Sequence, residues 1–348
     1  MPGESPTGVD LAAFAEWAAG ALPHLTPPLT GSVIAGGRSN ITVRVVDANG
    51  AAYVVRRPPL HSVLATAHDV GREHRIIHAL GPTPVPVPDA LAMCTDADVL
   101  GAPFYVMRFV DGIVLNDAAT AEATLDVAAR GRAGASLVDA LVALHAVDAD
   151  AVGLGDLAKK EDFIARQLHR WHRQIEQSRQ RELPAVDRVH DVLAANIPPQ
   201  RESRIVHGDF RLGNCIVGDD GVVRAVLDWE LCTLGDPLAD LGYVLATWAR
   251  PTDERVADNN SPTVLPGFAE RDELAARYSA GSGRAVDDVD FYVAFSYWRL
   301  ACIIEGVYAR ALAGAQGDTG VDPEIFRRRV DDNAQLAEEH AARFAGRR

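Results

Sequence analysis

The 348-residue chain holds four cysteines, and no two of them form a C-x-x-C pair. None of its eleven histidines joins them at metal-ligand spacing. A disulfide framework and a zinc site are therefore not expected, and a reduced, cytoplasmic protein is the simplest reading. No stretch approaches the roughly 18 uninterrupted apolar residues of a membrane span, and no basic segment followed by an apolar one opens the sequence. Membrane partners and secretion are not expected. Basic residues are in deficit, 34 Lys and Arg against 48 Asp and Glu, for a formal charge of −14. That sign disfavours nucleic-acid partners and suits a cationic small molecule. Internal repeats are lacking, and so is the G-x-x-x-x-G-K-[ST] loop of P-loop proteins.

The chain is long for one core, so two lobes are expected. Residues 1–110 read as strand-rich with one long helix, and residues 111–348 as mainly helical. An amphipathic helix is expected over 10–22, packed on the outside of the first lobe. The proline-dense stretch 82–88 should be an extended connector. Residues 123–145 and 162–180 read as helices of the second lobe. Asp236-Pro237 is a start signal for a helix over 238–249, with Asp240 favouring its dipole, and both aspartates read as scaffolding for the loop of Asp228. His145 reads as a packing residue and His207 as a support of its own loop. Residues 253–267 form a long polar loop without periodicity.

His207-Gly208-Asp209-Phe210-Arg211-Leu212-Gly213-Asn214 carries the chemistry. Asp209 and Asn214 have the D-x-x-x-x-N spacing with which protein kinases supply a catalytic Asp and a metal-binding Asn. Cys215-Ile216-Val217 resumes an extended run, Gly218-Asp219-Asp220-Gly221 is a turn signal, and the strand from Val222 to Leu227 would carry Asp228 back beside Asn214. Phosphoryl transfer asks for positioning and charge neutralisation more than for covalent chemistry. Magnesium takes hard oxygen ligands, which Asn214 and Asp228 offer, while Asp209 orients the acceptor hydroxyl.

The stretch from His207 to Trp248, with H-G-D-x-x-x-x-N, L-D-W-E and G-D-P-L-A-D-L-G, resembles the aminoglycoside phosphotransferase family. Val54-Val55-Arg56-Arg57-Pro58-Pro59 and Ala294-Phe295-Ser296-Tyr297-Trp298-Arg299 are most similar to its acyl-CoA-dehydrogenase-associated branch. The resemblance implies an α+β, bilobal, protein-kinase-like fold. The lobe of residues 1–110 would bind nucleotide, and that of 111–348 would hold the catalytic loop and the acceptor. It implies Asp209 as catalytic Asp, Asn214 and Asp228 as magnesium ligands, and ATP or GTP as phosphate donor. It also implies Glu73 as the helix Glu that pairs with a basic strand residue. That residue is Lys in most relatives, and here Arg56 or Arg57 stands in its place. Strand alternation does not separate the two, and Arg56 is favoured because it directly follows Tyr53-Val54-Val55. Glu73 lies one turn before Ile76 and Ile77 on nearly the same helical face, where a carboxylate needs a basic partner.

Ser39 and Asn40, after Gly36-Gly37, are candidates to contact phosphate, and Met107 and Phe109 to flank the base. Arg211 is a candidate acceptor ligand, as are Trp298, Arg299, Glu305 and Tyr308 in the apolar helix 291–312. The leading expectation is a kinase that phosphorylates a hydroxyl of a small molecule, with a hydroxyacyl thioester or related metabolite as the acceptor. Alternatives are an aminoglycoside or macrolide phosphotransferase and a non-catalytic nucleotide-binding pseudokinase.

Overall fold

The structure, a computed structural model, describes residues 5–34, 40–59, 69–253, 260–314 and 322–346. Two compact units divide the chain, one of residues 1–112 with 224–231, the other of residues 113–223 with 232–348.

In the first unit, short runs rich in β-branched residues form strands β1 (Thr30–Val33), β2 (Ile41–Val46), β3 (Ala52–Arg57), β4 (Ala90–Cys94) and β5 (Phe104–Arg108). They make one antiparallel sheet in the order β1-β2-β3-β5-β4. The β2–β3 hairpin turns on Asp47, whose Oδ1 accepts from the N–H groups of Asn49 (2.9 Å) and Ala51 (2.8 Å), with Gly50 at φ +82°. Alternation puts Val43, Val45, Tyr53, Val55, Phe104 and Val106 on one face, where helix α1 (Leu11–Ala21) buries Leu11, Phe14 and Ala18. Asp10 caps that helix by accepting from the N–H groups of Ala12 and Ala13.

The other face carries a row across the strands, Thr42, Arg56, Tyr105 and Met93. Helix α2 (Val70–Leu80) packs toward β4 and β5, buries Val70, Ile76, Ile77 and Leu80, and buries Glu73 with them. A short helix, α3 (Ala97–Leu100), links β4 to β5. The connector 82–88 is neither helix nor strand, and Pro86 accepts from the Val226 N–H at 2.8 Å. Trp229 is fully buried in this unit and donates its indole N–H to Val226 O at 3.0 Å.

The second unit is mainly helical: α4 (Ala118–Thr124), α5 (Val127–Ala146), α6 (Phe163–Ser178), α7 (Pro184–Ala195), α8 (Leu238–Thr247), α9 (Arg271–Ser282), α10 (Val289–Leu312) and α11 (Pro323–Ala345). Its strands are short: β6 (Arg204–Val206), β7 (Cys215–Val217), the start of β8 (Val223–Val226) and β9 (Thr233–Gly235), with β6 and β9 antiparallel. The single helix expected over 123–145 is two. Asp126 accepts from the Ala129 N–H at 2.6 Å and so starts α5 as a new helix. Asp236 takes the Leu238 N–H as expected of a cap, and also accepts from the Tyr292 hydroxyl at 2.7 Å. Among the described residues, no helix is long and apolar enough to cross a membrane.

Close approach of α8 and α10 depends on Gly242. A Cβ there would lie 2.5 Å from the backbone carbonyl carbon of Tyr292, which a rotamer change cannot relieve. Gly242→Ala should therefore lower the thermal unfolding midpoint, by the equivalent of about 1–3 kcal/mol of overpacking, despite the better helix propensity of alanine. A midpoint equal to or above that of the wild type would contradict this packing.

Candidate active site

In the second unit, the loop after β6 is held from below by a carboxylate. Asp240, in the first turn of α8, is 1% exposed and accepts from the backbone N–H groups of His207 (2.7 Å) and Gly208 (2.9 Å). His145, at the end of α5, places its Nε2 3.3 Å from Oδ2 of the same carboxylate and meets the Tyr278 hydroxyl at 2.8 Å through Nδ1. Burial alone would raise the Asp240 pKa, but these donors outweigh it and hold the group below the usual carboxylate range, while burial lowers His145. The role read for Asp240, scaffolding of the Asp228 loop, is thus corrected: its side chain serves the loop of Asp209. Arg299 closes the other side, donating to Gly208 O at 2.6 Å with its guanidinium over the Tyr243 ring at 4.7 Å. Gly208 takes φ +85°, a conformation that favours glycine.

This anchoring presents Asp209 and Asn214 together. His207 Nδ1 accepts from the Asp209 N–H at 3.2 Å. Asn214 donates its amide to Asp209 O (2.8 Å) and to Asp209 Oδ2 (2.7 Å), which leaves the amide oxygen as its acceptor for another group. Arg211 stands 3.7 Å from Asp209 Oδ1, a loose ion pair, and the Tyr243 hydroxyl lies beside the same carboxylate. After β7 the chain turns as its residues indicate, with the Gly218 N–H on Val222 O and Gly221 at φ +82°.

Asp209 and Arg211 line a cavity of about 490 Å³ within this unit. Its polar lining includes Asn116, Arg329, Asp332 and Asn333, and its apolar lining Trp248, Leu300, Ile304 and Leu336. Among the described residues that line it are two Arg and two Asp side chains.

In the first unit, Arg56 is the centre of a charged cluster. Its Nε lies 2.9 Å from Glu73 Oε2, close for an ion pair though off the axis of a hydrogen bond, and its Nη2 donates to Asp228 Oδ1 at 3.1 Å. Arg57 faces the opposite way, buried and donating to the carbonyls of Gly8, Pro58 and Leu100. The chain has two lysines, Lys159 and Lys160, both in the second unit, so in the first unit a guanidinium is the cation available. Burial lowers the Arg56 pKa, but Glu73, Tyr105, Asp228 and Glu230 outweigh it and the net shift is upward. Glu73 is 3% exposed, and burial raises its pKa more than Arg56 lowers it, with Asp228 and Glu230 adding to the rise. The Tyr105 hydroxyl approaches Glu73 without a well-directed hydrogen bond. Asp228 itself sits at φ +65°, a strained conformation that costs a non-glycine residue about 1–3 kcal/mol and gathers at functional sites.

Asp228, partly exposed beside Arg56, offers carboxylate oxygens of the hard kind that a divalent ion takes. Among the described residues no three His, Cys, Asp or Glu side chains form a complete metal cage. An ion held here would need waters or phosphate oxygens in its other positions, which is how magnesium is commonly held.

Other candidates separate clearly. Asn40 is buried at the start of β2, whereas Ser39 lies outside the described residues. Met107 is buried in β5, and one face of Phe109 is covered by the Arg44 guanidinium at 4.7 Å. Trp298, Arg299, Glu305 and Tyr308 do not line the Asp209 cavity. Trp298 is fully buried and donates to Val186 O, Arg299 braces the loop, and Glu305 accepts from the Gln180 N–H. The face of α10 that does line it is Tyr297, Leu300 and Ile304, opposite Arg329, Asp332, Asn333 and Leu336 of α11.

Removing Arg56 leaves Glu73 buried without its cation. Arg56→Ala should lower stability by about 3–5 kcal/mol in denaturant unfolding. Glu73 has a raised folded pKa, so its contribution is full below the unfolded value and declines as pH rises through the folded one. Loss of Arg56 pushes that pKa higher, so the penalty should be larger at about pH 8 than at about pH 5. An equal penalty at both values would show that Glu73 does not depend on Arg56.

Comparison with known proteins gives the family and the fold. Residues 30–276 match the phosphotransferase enzyme family. Acyl-CoA dehydrogenase family member 10 of Mus musculus is 35% identical over 305 residues, covering 84% of this chain and 27% of that protein. Family member 11 of Gallus gallus is 36% identical over 286 residues, covering 80% of this chain and 36% of that protein. The chain thus spans about a third or less of the length of these curated relatives. A Ralstonia eutropha JMP134 protein whose crystal structure carries an aminoglycoside phosphotransferase designation matches with a TM-score of 0.80 and 32% identity, over 96% of this chain and 98% of that one. The GDP complex of aminoglycoside 2'-phosphotransferase-IIIa shares the fold, with a TM-score of 0.62 at 15% identity over 96% and 99% of the two chains. With an antiparallel sheet in one unit, helices in the other and the motif from His207 to Asn214 on its loop, this chain has an α+β kinase-like fold and belongs to the phosphotransferase enzyme family.

Proposed function

We propose that the protein transfers the γ-phosphate of ATP or GTP to a hydroxyl of a small molecule, a hydroxyacyl thioester or related metabolite. The observation that carries this reading is the Asp209 carboxylate, held by the Asn214 amide at 2.7 Å and opening onto a cavity of small-molecule size. Residues 1–110 would serve the nucleotide and residues 111–348 the acceptor. Arg56 and Glu73 would order the phosphates, with Asn40, Ser39, Met107 and Phe109 as nucleotide neighbours. Asn214 and Asp228 would hold magnesium, which supplies neutralisation of phosphate charge when bound.

Asp209 would accept a hydrogen bond from the acceptor hydroxyl and aim its oxygen at the γ-phosphorus. As the new P–O bond forms and the bond to the β-phosphate oxygen breaks, the hydroxyl proton passes to Asp209 and the nucleoside diphosphate departs. Arg211 would sit near the transferring phosphate or an anionic part of the acceptor. Arg211 and Arg329 offset Asp209 and Asp332 in the described lining, which lacks the excess of negative charge that a polycationic aminoglycoside calls for. The acyl acceptor is suggested by relatives named for acyl-CoA dehydrogenases, which this chain matches over 27% and 36% of their length.

With a panel of hydroxyacyl thioesters, free hydroxy acids and aminoglycosides, nucleoside diphosphate should form with the thioesters. Asp209→Asn should lower kcat by about 10²–10⁴ while nucleotide still binds. Undiminished turnover by Asp209→Asn, or transfer confined to aminoglycosides, would refute the assignment.

A further inference from the structure

Two cavities of the second unit share a wall. Beside the one that holds Asp209 lies a larger one, about 930 Å³, among α9, α10 and α11, and Tyr297 and Leu336 line both. Helical spacing explains why. On α10, Tyr297, Leu300 and Ile304 face the first cavity, while Val289, Val293 and Tyr297 face the second. On α11, Asp332, Asn333 and Leu336 face the first, while Leu336, Glu339 and Arg343 face the second. Each helix therefore turns from one cavity to the other at a single residue, Tyr297 and Leu336 respectively. Tyr297 is 5% exposed and its ring packs against His340 with centroids 5.7 Å apart, so packing fixes its position.

Much of the second cavity's lining is charged, and several of those charges are paired with one another. Arg271 makes a two-pronged pair with Asp253, at 3.0 and 2.5 Å, and His340 meets Asp290 at 2.7 Å. Val289 and Val293 add apolar surface. With Leu245, Ala275, Ala276 and Val286 they make an apolar strip along which an aliphatic segment can lie while the paired charges keep their partners. The first cavity is mixed: Asp209, Arg211, Arg329, Asp332 and Asn333 are among its polar lining, and Leu300, Ile304 and Leu336 give it an apolar strip that ends at Tyr297.

We infer that Tyr297 and Leu336 determine acceptor length: they stop an aliphatic chain that lies along Leu300 and Ile304, and their removal joins the two cavities. This rests on the reading of the Asp209 cavity as the acceptor site. The acceptor class that fits is a hydroxylated, straight-chain acyl compound whose tail ends at this wall.

The test is binding, by titration calorimetry, of straight-chain hydroxyacyl thioesters lengthened one methylene at a time. Affinity for the wild type should rise up to about fourfold per methylene and then stop rising at a cut-off. Leu336→Ala and Tyr297→Ala should move the cut-off to longer chains, and Leu336→Trp to shorter ones. The two Leu336 variants decide the matter if Tyr297→Ala does not fold. A cut-off that stays fixed in the Leu336 variants, or no dependence on chain length, or no binding of any member, would overturn the inference. Phosphoryl transfer on the same series separates the two readings. A cut-off that moves without any transfer refutes the kinase and supports the wall, whereas transfer with a fixed cut-off does the reverse.

Discussion

A carboxylate buried to 1% exposure, Asp240, fixes the loop on which the candidate chemistry depends. Isolated, such a charge would cost several kcal/mol in an interior. Here two backbone N–H groups and an imidazole satisfy it, and charge-assisted hydrogen bonds of this kind are roughly twice as strong as neutral ones. The same bonds leave His207 and Gly208 little freedom, and Asp209 follows directly. Arg299 grips the carbonyl of Gly208 while Asp240 grips its N–H, so the peptides on both sides of this residue are fixed. Preorganisation of this sort lets a carboxylate meet a hydroxyl without reorganising at the moment of transfer.

The first unit solves a related problem with a cation. Glu73 lies within an apolar helical stripe because α2 must bury Ile76, Ile77 and Leu80 against the sheet, and Arg56 is what makes the buried carboxylate tolerable. The fork of a guanidinium reaches Glu73 with one nitrogen and Asp228 with another, which the single nitrogen of lysine would have to do as a point charge. Arginine at this position is therefore compatible with retained chemistry.

Local signals in the sequence were sufficient where the interaction is local. Asp209 and Asn214 are five residues apart and touch, and the turn at Gly218–Gly221 follows from its composition. Arg56 and Arg57 differ by one step of strand alternation, so their roles emerge only once the register opposite Tyr105 is known. Helix α10 is buried along most of its length and nearly all round, which erases the periodicity that would separate Trp298, Glu305 and Tyr308 from Tyr297, Leu300 and Ile304, the residues that line the cavity. On α11 the lining residues Arg329, Asp332 and Asn333 belong to the polar side of an amphipathic helix, and a polar face reads as a solvated one until the opposing helix is in view. The loop-holding role of Asp240 is not legible locally, because its backbone partners lie some thirty residues away in sequence.

The central claim, a nucleotide and metal site that includes Asp228, is tested most directly by thermal unfolding with ATP or GTP, with and without magnesium, for the wild type and Asp228→Ala. A ligand that binds only the folded protein stabilises it by about 2.7 kcal/mol at a hundred times its Kd. In the wild type the midpoint should rise in a way that needs magnesium, and Asp228→Ala should lose that rise. No rise with either nucleotide, or a rise indifferent to both magnesium and Asp228, would contradict it.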